Sequence, residues 1–240
     1  IIQDIKVFPP LYLNGPLYNI VEFPSEKKHK YTLIYLHGQE SSALRNARNM
    51  TTTEFPLVPD HTKVVLLSAP YVFMPMRNKT GTSWFDGTPS NFTMKPGDYN
   101  FTELVMNSKR VMDVINKEAE LLGGNYSKIF MQGYSQGACM SMYLPFNLGK
   151  GKELGGVVMM SGVMFPEIFN ETTYLDNKKT LFLVGHGKND QSFDINIHKE
   201  SIKRFENYTN FERHYYDGID HFTFDASKKD IQSFFYKNMP

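Results

Sequence analysis

The chain of 240 residues contains one cysteine, Cys139, so no disulfide can close within it and no cysteine cluster can bind zinc. It lacks any apolar run near the roughly 18 residues that a membrane-spanning helix needs. An excess of one charge is missing too: 26 basic residues stand against 25 acidic ones, with no long like-charged block. A nucleic-acid partner is therefore not expected, because phosphate binding leaves a basic footprint. The seven histidines show no H-E-x-x-H or comparable spacing, which leaves a metal mechanism without support. No internal repeat, low-complexity tract or linker divides the sequence. A chain of this length can bury about 70% of its unfolded surface without disulfide or metal staples, so one domain spanning 1–240 is expected.

What is present is an alternation of two kinds of apolar pattern. Short runs rich in β-branched and aromatic residues, at 31–36, 63–67, 128–131, 156–160 and 180–184, read as buried strands. Their near-continuous hydrophobicity suits parallel strands covered on both faces. Residues 17–23 read as an edge strand and 211–216 as the last strand. Helical patterns run over 101–122, 136–148, 193–208 and 226–238. In the first, Leu104, Val111, Ile115, Ala119 and Leu122 share one stripe, which Gly123-Gly124 ends. The alternation predicts an α/β fold: a mostly parallel central sheet flanked by helices on both faces. Residues 70–100, rich in Pro, Gly, Asn and Thr, read as one long excursion of a length that is usually functional.

The sharpest local pattern is Gly133-Tyr134-Ser135-Gln136-Gly137, between a predicted strand and a predicted helix. This is the G-x-S-x-G arrangement of a nucleophile held on a tight strand-to-helix turn, where flanking side chains would collide with backbone. The helix that begins there directs free N–H groups and the positive end of its dipole at the site. A serine hydroxyl needs a base to take its proton, and the base needs an acid to hold its tautomer. Asp190 and His221 follow the strands 180–184 and 211–216, at the strand ends where α/β sheets place ligands. His186 precedes the acid and reads as structural support. Asp194, a rival acid, falls on the predicted helix, and Asp220 adjoins His221 too closely to orient it. His29, His61, His198 and His214 read as surface groups, and Cys139 as a small core residue.

A second pattern, Leu36-His37-Gly38-Gln39, follows the strand 31–36. Oxyanion stabilisation usually takes two backbone N–H groups, one from the residue after the nucleophile, Gln136, and one from such a loop, for which Gln39 is the candidate. An ordinary turn at His37-Gly38 is the alternative.

Together these residues resemble the acyl-protein thioesterase and lysophospholipase-like carboxylesterase family of α/β-hydrolases. The resemblance runs along most of the chain: Tyr35-Leu36-His37-Gly38, Ser68-Ala69-Pro70, Ser83-Trp84-Phe85-Asp86, the serine pentapeptide, Gly185-His186-Gly187-Lys188-Asn189-Asp190 and Gly218-Ile219-Asp220-His221. It implies Ser135 as nucleophile, Asp190 and His221 as its partners, and Gln39 and Gln136 as oxyanion donors. It also implies an acyl groove near the 70–100 excursion, with Trp84 either positioning substrate or packing in the core. The implied substrate is an acyl ester or thioester, on a lipid or an acylated protein, and the chemistry requires no cofactor. A broad carboxylesterase or lysophospholipase, or a degenerate hydrolase kept as a binding component, are the alternatives.

Two features depart from the family. Its usual H-G-L-G-D is replaced by His37-Gly38-Gln39-Glu40-Ser41, and a carboxylate facing a developing oxyanion would raise the barrier. Glu40 is therefore expected to face solvent. The second is seven N-x-S/T sequons, at Asn49, Asn78, Asn91, Asn100, Asn125, Asn170 and Asn207. With 18 Asn and 30 Ser plus Thr, chance gives about two. Their excess favours a secreted or cell-surface glycoprotein over the cytosolic location of well-known relatives.

Overall fold

The protein is described here by a computed structural model covering residues 6–8, 20–52, 58–88, 93–95, 97–168 and 178–240. In chain order its elements are β1 (Lys6–Phe8), β2 (Ile20–Phe23), β3 (Tyr31–Leu36), α1 (Ala43–Thr52), β4 (Thr62–Leu67), β5 (Tyr71–Met74), β6 (Lys79–Thr82), α2 (Phe101–Leu121) and β7 (Ile129–Tyr134). They continue with α3 (Gln136–Tyr143), β8 (Gly156–Met160), β9 (Leu181–Gly187), α4 (Ile195–Ile202), β10 (Phe211–Tyr216) and α5 (Phe224–Asn238). Among the described residues, eight strands form one sheet in the order β1-β2-β4-β3-β7-β8-β9-β10. From β4 to β10 all neighbours are parallel, while β1 and β2 add antiparallel pairings at one side.

Side chains alternate across each strand, and here both faces are apolar. Leu33, Tyr35, Phe130 and Leu183 pack with Ala43 and Ala47 of α1 and with Phe234 and Phe235 of α5. Ile34, Leu36, Met131 and Val184 point the other way, toward Val111 and Ile115 of α2 and Cys139 of α3. Each such fully buried side chain contributes about 1.5–3 kcal/mol, so both helical layers are anchored by the same strands. The expected α/β architecture is therefore the one observed.

Register sets where chemistry can occur. Leu36 pairs with Gly133, Tyr134 with Met160, and Gly187 with Tyr216, so β3, β7, β8, β9 and β10 end along one rim. The segments carrying Gln39, Ser135, Asp190 and His221 all leave the sheet there.

Several expected boundaries move. The strand expected at 17–23 begins, within the described residues, at Ile20, and β1 lies outside it, so β2 is not an edge. The helix after Ser135 stops at Tyr143 rather than 148: Leu144 still has helical geometry, but Pro145 has no N–H with which to continue the hydrogen-bond ladder. The helix expected over 193–208 shrinks to α4 plus a short 3-10 turn, Lys203–Phe205, and Asp194 caps it instead of lying within it. The 70–100 excursion holds the β5–β6 hairpin and a bridge between Gly87 and Tyr99. Among the described residues no helix is long and apolar enough to cross a membrane.

Candidate active site

The elbow begins with backbone strain. Ser135 sits between β7 and α3 with φ 54 and ψ −120, a conformation costly for any residue with a Cβ. It is held by its neighbours: the Ser135 N–H donates to the Met160 carbonyl at 2.9 Å, and its own carbonyl accepts from Ala138 and Cys139. The flanking glycines answer to space. A Cβ on Gly133 would collide with the Gly137 carbonyl, and one on Gly137 with the carbonyl of Leu36.

From this turn the serine Oγ lies 2.9 Å from His221 Nε2, and His221 Nδ1 lies 2.7 Å from Asp190 Oδ2. An ionised carboxylate only accepts, so Nδ1 carries the imidazole proton and Nε2 presents its lone pair to the serine hydroxyl. The three side chains thus form one continuous hydrogen-bonded line. Asp190 is 3% exposed. Its Oδ1 accepts from the backbone N–H groups of Ser192 and Phe193, at 2.7 and 2.9 Å. Burial alone would raise this carboxyl, but the bond and charge of His221, the Phe193 N–H and nearby His186 outweigh it and hold it below the usual carboxylate range.

His186 stands behind the acid. Its Nε2 is 2.7 Å from the Phe193 carbonyl, which can only accept, so this nitrogen carries the proton and shares it with Asp190 Oδ2 at 3.2 Å. Burial pushes the His186 imidazole below its ordinary value. His198, expected on the surface, is instead fully buried. It stacks on His186 with ring centroids 4.1 Å apart, and its Nδ1–H donates to the Gly162 carbonyl at 2.7 Å. The Asp194 cap starts α4 at the register that turns His198 inward.

The loop after β3 is ordered by a third buried histidine. The Ala69 N–H donates to His37 Nε2 at 2.9 Å, so the proton is on Nδ1, which donates to the Gly38 carbonyl at 2.6 Å. In a trans peptide C=O and N–H point oppositely, so anchoring Gly38 O directs the Gln39 N–H away from His37. Among the described residues neither the Gln39 nor the Gln136 backbone N–H has a partner. Glu40 forms an ion pair with Lys79 at 2.6 Å and, as expected, is exposed to solvent.

The Ser83-Trp84-Phe85-Asp86 element is a bracket around the elbow. Gln136 Oε1 accepts from the Ser83 hydroxyl and the Trp84 N–H, both at 3.1 Å, and its Nε2 donates to the Phe85 carbonyl at 2.6 Å. Trp84 is 1% exposed, donates from Nε1 to the His37 carbonyl, and borders an apolar cleft beside α2 instead of the one at Ser135. The Ser135 cleft, about 250 Å³, is lined by Gln39, Gln136 and His221 and also by Arg77, Phe85, Thr88, Phe193 and Phe222. The sequence assigned none of those five a place in the cleft: Arg77, Phe85 and Thr88 lie in a Pro- and Gly-rich excursion where nothing marks which side chains turn inward, and Phe193 and Phe222 follow Asp190 and His221 without a motif of their own. Of the sequons, Asn49, Asn78, Asn125 and Asn207 are exposed, and Asn100 caps α2. Asn91 and Asn170 lie outside the described residues.

Comparison with known proteins matches residues 18–239 to the Phospholipase/Carboxylesterase family. Acyl-protein thioesterase 1 homolog 2 of Dictyostelium discoideum is 23% identical over 174 residues, 72% of this chain and 76% of that protein. Lysophospholipase-like protein 1 of Mus musculus is 24% identical over 144 residues, 57% of this chain and 56% of that protein. Among solved structures, Arabidopsis thaliana SOBER1 superposes with a TM-score of 0.71 at 21% identity, covering 88% of this chain and 99% of that one. Zea mays acyl-protein thioesterase 2 gives 0.72 at 17% identity, with 94% and 100% covered. The fold is that of the α/β-hydrolase esterases.

Proposed function

The chain belongs to the phospholipase/carboxylesterase family, and from that premise we propose that it hydrolyses acyl esters or thioesters through an acyl-enzyme on Ser135. The observation that carries this reading is the unbroken line from Ser135 Oγ through His221 to Asp190, with spacings of 2.9 and 2.7 Å. His221 Nε2 takes the hydroxyl proton as Ser135 Oγ attacks the acyl carbonyl. Asp190, buried and ionised, stabilises the imidazolium that forms. The N–H groups of Gln39 and Gln136, without a partner among the described residues, receive the oxyanion, and His221 returns the proton to the departing alcohol or thiol. Water, deprotonated by the same imidazole, then releases the acid. In this reading Trp84 supports the site from behind by holding the His37 carbonyl.

The test is a chain-length series of esters and matched thioesters, with labelling by a fluorophosphonate. Ser135→Ala should lower kcat by at least about a thousandfold and abolish labelling. An unlabelled native protein that cleaves no ester in the series would reduce the chain to a binding component.

The sequon excess supports a second element: a glycoprotein acting outside the cytosol. Four of the five sequon asparagines within the described residues are exposed, as glycan attachment requires. S-acylated proteins mainly face the cytosol, so this location favours a broad carboxylesterase or lysophospholipase over a protein thioesterase. Intact mass before and after an N-glycan-removing enzyme decides it. An unchanged mass ends the glycoprotein reading.

A further inference from the structure

The cleft at Ser135 is electrically one-sided. Of the described residues lining it, Arg77 carries the only permanent charge, and none is a carboxylate. Arg77 closes a 3-10 turn, Pro75–Arg77, at the tip of the β5–β6 hairpin. That turn is fixed from two directions: the Asn78 N–H returns to the Pro75 carbonyl, and the Met76 N–H donates to Asp86 Oδ2 at 2.7 Å.

The guanidinium is anchored without being neutralised. Its Nε donates to the Gly87 carbonyl at 3.1 Å, which uses one of five N–H donors and leaves the two terminal nitrogens. Among the described residues it has no ion pair. The nearby acids are committed elsewhere: Glu40 to Lys79 at 2.6 Å, and Asp86 to the N–H groups of Met76 and Gly87.

Beside Gly87 stands a second, independent observation. Thr88 Oγ1 is buried and has no hydrogen-bond partner among the described residues, while Thr88 lines the same cleft. Its backbone is tied down, with the Thr88 N–H donating to the Asp98 carbonyl at 2.8 Å. An unmade hydrogen bond at a buried hydroxyl is costly, and a turn of the Thr88 side chain toward an anion in the cleft would remove that cost, the anion accepting from the hydroxyl. Arginine is suited to the same task, since its planar fork matches phosphate and carboxylate oxygens.

We propose that Arg77 and Thr88 form an anion subsite of the Ser135 cleft, selecting acyl substrates that carry a phosphate or carboxylate away from the scissile bond. The inference rests on the hydrolase reading and adds the substrate's charge to it.

The experiment uses two matched substrate pairs. One compares a hexanoyl ester of glycerol phosphate with that of glycerol, the other an acyl ester ending in a free carboxylate with its methyl-capped form. The quantity read is the ratio of kcat/KM, charged over neutral, within each protein, so partial unfolding of a variant cancels. The wild-type ratio should exceed one by about ten- to a hundredfold in at least one pair, the size usual for a charge-assisted hydrogen bond. Arg77→Gln should bring that ratio near one, Arg77→Lys should keep part of it, and Thr88→Val should lower it severalfold. Preference in only one pair assigns the anion as phosphate or as carboxylate. A wild-type ratio near one in both pairs, or a ratio unmoved in Arg77→Gln, overturns the subsite. If Ser135→Ala hydrolyses either pair as fast as wild type, the hydrolase reading itself has failed, an outcome separate from the first.

Discussion

His186 Nε2 lies 3.2 Å from Asp190 Oδ2, the same carboxylate oxygen that His221 reaches at 2.7 Å. Two imidazoles therefore share one oxygen, one facing the serine and the other sealed behind it. The rear imidazole orients the acid and draws off part of its charge. Replacing it, as in His186→Phe, should lower kcat about tenfold with KM little changed, the usual effect of losing one hydrogen bond to a charged group. The acidic limb of the pH–rate profile should also move upward, because a carboxylate relieved of one donor binds the imidazolium more strongly. Lost stability with an unmoved profile and unmoved kcat would show that His186 only fills space.

Buried neutral histidines make stability depend on pH. Burial lowers His37 to about 4, and burial with neighbouring His186 lowers His198 to about 3. The unfolded chain protonates both near pH 6.5, while the folded chain resists until far lower. Their contribution is thus complete above pH 6.5 and is lost as pH falls toward the folded values, at about 1.4 kcal/mol per pH unit for each histidine. Asp190, also depressed, adds a further loss below the usual carboxylate range. Urea unfolding at pH 7, 6 and 5 should show a flat region giving way to this slope, and His198→Asn should reduce it by one histidine's share. Equal stabilities at pH 6 and 5 would contradict the assignment.

Much of this was legible in the sequence because it rests on local rules. Continuous apolar runs marked the parallel strands, and G-x-S-x-G marked a turn whose glycines are required by carbonyls of the same elbow and of β3. Asp190 and His221 could be chosen because each follows a strand whose end lies on the shared rim. What stayed hidden depends on distant partners. His198 looks like a surface residue on a polar helix until the stack with His186 turns it inward. Gln136 and Ser83 are 53 residues apart in sequence, and only folding reveals that the elbow's glutamine side chain brackets the Ser83–Asp86 element. The inward face of Arg77 follows from a hairpin, and that of Thr88 from the Gly87–Tyr99 bridge beside it, and no short motif encodes either register.

The strain at Ser135 predicts a trade between stability and chemistry. Its φ of 54 is one that glycine adopts freely, whereas a Cβ makes it costly by about 1 kcal/mol or more. Ser135→Gly should therefore unfold at higher denaturant than Ser135→Ala by about 1 kcal/mol, although both lose hydrolysis. The alanine variant retains the strained Cβ and serves as the control. Equal midpoints would mean that the turn relaxes when the hydroxyl is removed.

Glu40 also has a positive φ, 60, a backbone conformation that glycine adopts without strain. In this chain the carboxylate turns outward to Lys79 of β6, at 2.6 Å, and both side chains remain nearly half exposed. An exposed pair of that kind contributes about 0–1 kcal/mol. A left-handed backbone at a residue other than glycine costs about 1–2 kcal/mol. The two terms oppose, and backbone relief is the larger. Glu40→Gly should then leave stability equal or raise it by about 1 kcal/mol, with kcat within about twofold of wild type. Urea midpoints and ester kinetics at low and high salt check both halves. A kcat gain of about tenfold at low salt that disappears at high salt would instead place the Glu40 charge in the field of the oxyanion, against the outward pairing with Lys79.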